Sequence, residues 1–284
     1  MQIKIFRNLM MFALIILLCS WGEKGHQKIN SSAPQFFPAK LNHFKGWSEK
    51  LAEHGSDADI RKKWDKTEGV KHFIDIDAYQ DFMDKHQIIE SKDQAFTKYG
   101  KEFVVKNGTL PWVTDSTYHV LVNDFKSKNW SKVVLTAADL GHYVGDGFMP
   151  LHLTSNYDGK LTGQTGIHSR YESTMINRYV TEINVKKSAT KKVTNVSRYV
   201  FNYIYSNYQY KDSLLNADKL AYEKADHKYA DVYYQELWRS TQGFTQKMIA
   251  GSSKSLAELI RSAWIEAGRP YIPRDIVVAE APKK

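Results

Sequence analysis

The chain has 284 residues, a single cysteine and a formal net charge of +9. One cysteine excludes a disulfide framework and any zinc site built from several thiolates, and the length allows one large domain or two small ones with a core that needs no cross-links. The positive balance favours an anionic partner, nucleic acid or an acidic lipid surface, without choosing between them.

The first segment is 1–20. Lys4 and Arg7 form a basic start, 9–19 is an unbroken apolar run too short to span a bilayer, and Ser20 is a small residue before a cut. This reads as a secretory signal peptide, so the protein is expected to be exported, secreted or periplasmic, as a mature chain of 21–284. Cys19 leaves with the signal, and Leu18 before it is larger than lipid attachment favours.

Behind the cut come Trp21, Gly22, Gly25 and His26. A freed Trp21 offers an α-amine and a carbonyl as a five-membered chelate, with His26 near enough to share the ion. Asp57 and Asp59 then precede the run His72-Phe73-Ile74-Asp75-Ile76-Asp77; isolated acids of this kind are usually surface or capping residues. Apolar periodicity predicts helices at 116–125, 131–145 and 255–267, the last stopped by Gly268-Arg269-Pro270. The glycine-rich stretch 156–166 is a loop. Lys186, Lys187, Lys191 and Lys192 read as a solvated loop, and the aromatic-rich stretch 199–210 is ambiguous. With strand-like alternation scarce, the expected fold is all-α, a single helical domain with bundle-type packing around a metal cleft.

The densest chemistry is His142, Asp146, His152, His168 and Glu172. On a helix, residues four apart share a face, so His142/Asp146 and His168/Glu172 can each clamp one cation. One such pair alone is ordinarily a surface hydrogen bond. Two pairs bracketing His152, itself just past the helix-stopping Pro150, are hard to explain without metal. Imidazole with carboxylate and no thiolate suits hydrolytic rather than structural zinc.

With these residues in place, the chain resembles the superfamily that unites bacterial zinc-dependent phospholipases C with fungal single-strand-specific nucleases. The resemblance is carried by Trp21 with Gly22, Gly25 and His26, by Gly141-His142-Tyr143-Val144-Gly145-Asp146, and by Met149-Pro150-Leu151-His152. Gly166-Ile167-His168 through Glu172 has the phospholipase form of the last ligand pair, whereas His72-Phe73-Ile74-Asp75 has the nuclease form. The match covers 21–172; beyond it only helical character agrees.

The resemblance implies three zinc ions. Asp57, His72, His142 and Asp146 would hold the first. His152, His168 and Glu172 would hold the second. The α-amine and carbonyl of Trp21, with His26 and Asp146, would hold the third, making Asp146 a bridge. Asp57 is preferred to Asp59 because fifteen residues from the acid to His72, rather than thirteen, fits the family spacing better. Asp75 either orients the attacking water or supports a zinc-bound histidine.

The implied activity is hydrolysis of a phosphate ester, in the first place a phosphodiester, by water that zinc acidifies towards neutral pKa. The substrate is then a phospholipid, with peripheral contact to a membrane surface, or single-stranded nucleic acid; no obligate protein partner is implied. Nuclease members carry a basic residue three positions after the acid aligned with Asp57, where this chain has Ile60. The nuclease Gly-Gly-Asn stretch before the last ligand pair is replaced by Asn156-Tyr157-Asp158-Gly159, and the last ligand is Glu172 rather than Asp. These points favour phospholipase C-type cleavage, with single-strand nuclease or 3′-nucleotidase action as the alternative. Trp64, Trp112 and Trp130 can stack bases, seat in lipid or fill the core. A non-catalytic zinc-binding surface protein is the alternative from a different class.

Overall fold

A computed structural model describes residues 21–38, 41, 46–273, 276 and 278. The signal segment and Cys19 lie outside these residues. The chain opens with α1 (Gly22–Ser32), followed by short helices α2 (Ser48–Glu53) and α3 (Asp57–Arg61). After single turns at Gly69–Lys71 and Ile76–Ala78 come α4 (Gln80–Lys85), α5 (Lys92–Tyr99) and α6 (Lys101–Lys106). Two long helices, α7 (Leu110–Lys126) and α8 (Trp130–Phe148), lead to a turn at Pro150–His152 and the loop 156–166. The short α9 (Ile167–Ser169) runs into a π-helical turn, Arg170–Met175, and then α10 (Ile176–Tyr179). An extended segment returns to α11 (Val196–Tyr208), α12 (Lys211–Lys224) and α13 (Asp231–Glu266). No strand occurs among the described residues, so the fold is a single all-α domain.

The predicted helices at 116–125 and 131–145 lie inside α7 and α8, and α11 takes most of the ambiguous 199–210. The helix expected at 255–267 is only the end of α13, which runs for 36 residues. Its first half buries Tyr233, Tyr234, Leu237, Trp238, Thr241 and Thr245. Aromatic and hydroxyl residues on the buried face blur the apolar period that marks a helix in sequence.

Helix α8 is the centre of the bundle, packed against α1, α7, α11 and α13. Asn129 caps it by accepting the Lys132 N–H at 3.2 Å, which satisfies one of the unpaired donors of the first turn. Two glycines set its distance from α1. A Cβ on Gly141 would fall 1.9 Å from Asn30 Oδ1, and one on Gly145 would fall 3.0 Å from Ile29 Cδ1. The approach they allow lets the Asn30 amide donate to Ala138 O at 3.1 Å and Leu51 O at 3.0 Å, tying α1, α2 and α8 together. Trp112 is core, its indole donating to Glu90 O, Trp130 is half-buried, and Trp64 is exposed.

Candidate metal centre

Helix α8 supplies the rigid wall. His142 and Asp146 both lie fully buried on it, one turn apart. His142 Nδ1–H donates to Gly55 O at 2.8 Å, which fixes the ring and turns Nε2 towards Asp146 Oδ2, 3.5 Å away. A histidine held by its second nitrogen in this way is the usual arrangement of a metal ligand. Across from it, the His26 ring of α1 stacks on His142 with centroids 3.8 Å apart. His26 Nε2 lies 3.5 Å from Asp146 Oδ1. Gly145 makes room for this, since a Cβ there would meet His26 Nδ1 at 3.1 Å.

His72 closes the first group. Its Nδ1 is 3.0 Å from His142 Nε2 and 3.1 Å from Asp146 Oδ2. Its Nε2 faces Glu68 at 3.5 Å. Glu68 is fully buried and accepts from Tyr143 OH and, at 2.7 Å, from Lys71. Against burial, which raises it, His72, then Lys71 and Tyr143, with Arg61 nearby, hold the Glu68 carboxyl well below the usual carboxylate range.

The acid that completes this group is Asp59, not Asp57. Asp59 Oδ1 lies 3.6 Å from both His72 Nδ1 and His142 Nε2. Asp57 instead pairs with His54 Nδ1 at 2.8 Å on the rim. The reason is helical phase: α3 begins at Asp57, residues two apart on a helix point to opposite sides, and only Asp59 turns inward, where it is 6% exposed. The residue three beyond Asp59 is Lys62, whose Nζ is 2.5 Å from Asp59 Oδ1.

The second group sits on irregular backbone. His152 Nδ1–H donates to His72 O at 2.6 Å, aiming Nε2 at His168 Nε2, 3.0 Å away, and at Glu172 Oε2, 3.3 Å away. His168 Nε2 is 2.8 Å from the same carboxylate oxygen. Ligand atoms on a tetrahedral zinc at its usual bond lengths stand about 3.4 Å apart, close to these separations. Burial is the largest influence on three of these groups: it leaves Glu172 up at about 8 and Asp146 up at about 7 despite the neighbouring His152 and His72, and it brings His168 down to about 4. A buried cation offsets that cost for the carboxylates, and burial already keeps the imidazoles neutral, the form that binds metal. Asp146 Oδ1 is buried and accepts no hydrogen bond, as a ligand oxygen would be. Three buried groups can therefore hold metal ions: His26 with His142 and Asp146, Asp59 with His72 and His142, and His152 with His168 and Glu172.

Trp21 lies beside this cluster. Its side chain is fully buried, and its indole N–H donates to Gly145 O at 2.6 Å. Its backbone is left-handed, φ 37°, and Gly22 follows with φ 55°. A Cβ on Gly22 would touch Glu172 O at 3.1 Å, so the start of α1 abuts the turn that carries Glu172. Sequence had offered Trp21 as a ligand through its backbone; the contacts seen here are those of its indole and of Gly22.

A cavity of about 390 Å³ opens over His72, His152 and His168. Its other walls include Lys62, Phe73, Asp75, Lys106 and Tyr157. Asp75 is anchored by its N–H to Asn107 O at 2.8 Å, and burial, then Asp77, pushes its carboxyl up to about 7. Lys62, Lys106 and Tyr157 were not legible as site residues. Lys62 had a signal in its spacing from Asp59; Lys106, on α6, had none. No family model matches the chain, and a search of curated proteins returns no match. The geometry therefore carries the functional reading.

Proposed function

We propose that this protein is a zinc-dependent hydrolase of phosphodiesters that acts on single-stranded nucleic acid. The observation that carries the reading is the cavity beside the buried histidines and carboxylates, where two lysines and two aromatic residues share the wall with Asp75. Zinc in such a site supplies Lewis-acid activation of water and of the phosphoryl group. His26, Asp59, His72, His142, His152, His168 and Glu172 are the residues that would hold three ions, with Asp146 shared between two of them and the Trp21 backbone as a further ligand. Asp57 has no part in this set.

Asp75 would orient the incoming water and take its proton, a task suited to a carboxyl pushed up to about 7. Lys62, beside Asp59, and Lys106 would neutralise phosphoryl charge. Phe73 and Tyr157 would stack a base, an interaction available to any sequence. This order of substrates reverses the one expected from sequence, because two ammonium groups and two aromatic residues suit a nucleotide better than a zwitterionic headgroup.

Phospholipid remains the second reading. Leu151 in the cavity wall and Leu161, 76% exposed on the loop beyond, favour it. The test is a side-by-side assay on single-stranded DNA, a 3′-nucleotide and phosphatidylcholine. Nucleotide release that falls steeply with added salt supports the proposal; diacylglycerol release without nucleotide release overturns it. On the same reading the protein is exported with Trp21 at its N-terminus, checked by intact mass. No helix among the described residues is long and apolar enough to cross a membrane.

A further inference from the structure

The metal centre leaves two features of the sequence unused, the lysines at 186–192 and the aromatic run at 199–210. The fold brings them together. The segment before α11 is laid along α13 as a strap. Lys191 N–H donates to Glu258 Oε1 at 3.0 Å, Val193 N–H donates to Ser262 Oγ at 2.8 Å, and Arg261 Nη1 donates to Thr190 O at 3.1 Å. Lysines 186, 187, 191 and 192 all stand exposed on it. Where the strap meets α11 and α13 there is a cavity of about 500 Å³, with Lys191, Tyr199, Asn202, Tyr203, Tyr210 and Lys247 in its wall.

The chemistry of this wall is anion-seeking. Lys191 Nζ stands 5.9 Å from the centre of the Tyr199 ring, and Lys247 Nζ lies 2.8 Å from Tyr210 Oη. Neither ammonium makes an ion pair among the described residues. The acid nearest in the network, Glu258, is 2% exposed and is taken up by Lys191 N–H and by Tyr199 OH at 2.7 Å. Tyr199 and Tyr210 are half-buried, and the rim residues Asn202, Ser206, Gln209 and Lys247 are exposed. The last turn of α8 backs the cavity: Phe148 stacks on Tyr203 with centroids 4.8 Å apart, two residues beyond Asp146.

We propose that this cavity and its lysine strap form a second binding site, for the phosphates and bases of single-stranded nucleic acid, distinct from the metal cleft. Two unpaired ammonium groups select a polyanion over a neutral sugar. The half-buried tyrosines offer faces for base stacking. The polar rim lacks the exposed apolar side chains that would enter a lipid surface. The site needs no metal, so it would hold a strand independently of cleavage.

The test is fluorescence anisotropy of a fluorescein-labelled twelve-residue oligothymidylate with the full mature chain in EDTA, over a salt series. The double variant Lys191→Ala, Lys247→Ala should bind at least tenfold more weakly. Its salt slope should be shallower by about 1.4, from two phosphate contacts at roughly 0.7 each. Tyr210→Leu should weaken binding at least fivefold and leave the salt slope unchanged. Circular dichroism confirms folding, and cleavage of a mononucleotide substrate should stay at the wild-type rate in both variants. Binding by the double variant within twofold of wild type, with the same slope, overturns the proposal. So does a loss confined to phosphatidylglycerol vesicles with oligonucleotide binding intact. Oligonucleotide binding that depends on Lys191 and Lys247 in a protein that cleaves no DNA would keep this site and refute the proposed nuclease activity. Cleavage of DNA with no effect of the double variant on binding would do the reverse.

Discussion

The two halves of the candidate metal centre use the same four-residue spacing on different backbones. His142 and Asp146 stand on α8, an uninterrupted helix of 19 residues in the middle of the bundle. His168 and Glu172 span the junction of the three-residue α9 with a six-residue π-helical turn. The first pair is held by the packing of α8 itself. The second needs outside support, because a π turn is intrinsically unfavourable and persists where surrounding contacts hold it, often at functional sites. Arg170 supplies that support. Its guanidinium donates to Thr165 O at 2.8 Å, Gln164 O at 3.1 Å and Asp218 Oδ1 at 3.2 Å, and its Nε donates to Tyr233 OH at 3.1 Å. The same group lies 4.0 Å from the Tyr229 ring centre. Helices α12 and α13, which carry no metal-ligand motif, thus clamp the turn that presents Glu172. One pair of ligands is built into the core, and the other is fastened to it.

The contrast gives its largest expected effect at Asp146, where the groups meet. Asp146→Asn should lower hydrolysis by more than about 100-fold, since even the outer partners of a metal ligand cost ~10–100-fold, and it should lower metal content by more than one ion. Glu172→Gln should lose one ion only. Equal metal loss in the two variants would dissolve the distinction between a shared and a single-site carboxylate.

Next in size is the clamp. Arg170 and Asp218 are both buried, and removing one partner of such a pair costs about 3–5 kcal/mol. Arg170→Ala should therefore lower stability by that amount in urea unfolding. Arg170→Lys, which keeps the charge but loses the fork, should weaken one metal site about tenfold and leave the α8 site unchanged. Uniform weakening of all sites would mean that the π turn is not separately supported.

The third comparison is Asp59→Asn against Asp57→Asn. The first should lose metal and at least ~10-fold in rate; the second should stay within about twofold, as surface changes do. Metal analysis and initial rates on both variants decide it.

Much of the centre was legible before the fold was known. Five candidate ligands within one stretch, His142 to Glu172, are visible because helical spacing is a short-range property that sequence reports directly. Asp59 was named but ranked below Asp57 because family spacing favoured Asp57, while the short helix α3 begins at Asp57 and sets the phase that turns only Asp59 inward. The π turn has no sequence signature, and nothing in the sequence around Arg170 marks it as the clamp that α12 and α13 make of it. Lys106 reaches the cavity from α6 through tertiary packing that no local pattern encodes. The all-α architecture followed from periodicity, whereas the length of α13 did not, because its buried tyrosines and threonines do not read as an apolar stripe.

The smallest predicted effect concerns pH. Asp75 is pushed up to about 7 from an ordinary 3.8, so the folded state holds its proton more tightly than the unfolded chain does. Stability should then fall as pH rises from about 4 to about 7, and Asp75→Asn should flatten that fall in metal-free protein, read as Tm between pH 5 and 8. In the metal-loaded protein the same variant should remove an acidic limb of the pH–rate profile of the proposed hydrolysis. An unchanged profile would leave Asp75 as a support for the neighbouring histidines rather than as the group that takes the proton.

The central claim is a buried zinc cluster bridged by Asp146, and anomalous diffraction at the zinc edge from crystals of the protein beginning at Trp21 tests it most directly. Three peaks are expected: one among Asp59, His72, His142 and Asp146 Oδ2, one between His26 and Asp146 Oδ1 beside Trp21, and one among His152, His168 and Glu172. No zinc peak in this cluster, or a peak that engages Asp57 while Asp59 stands aside, would contradict the account.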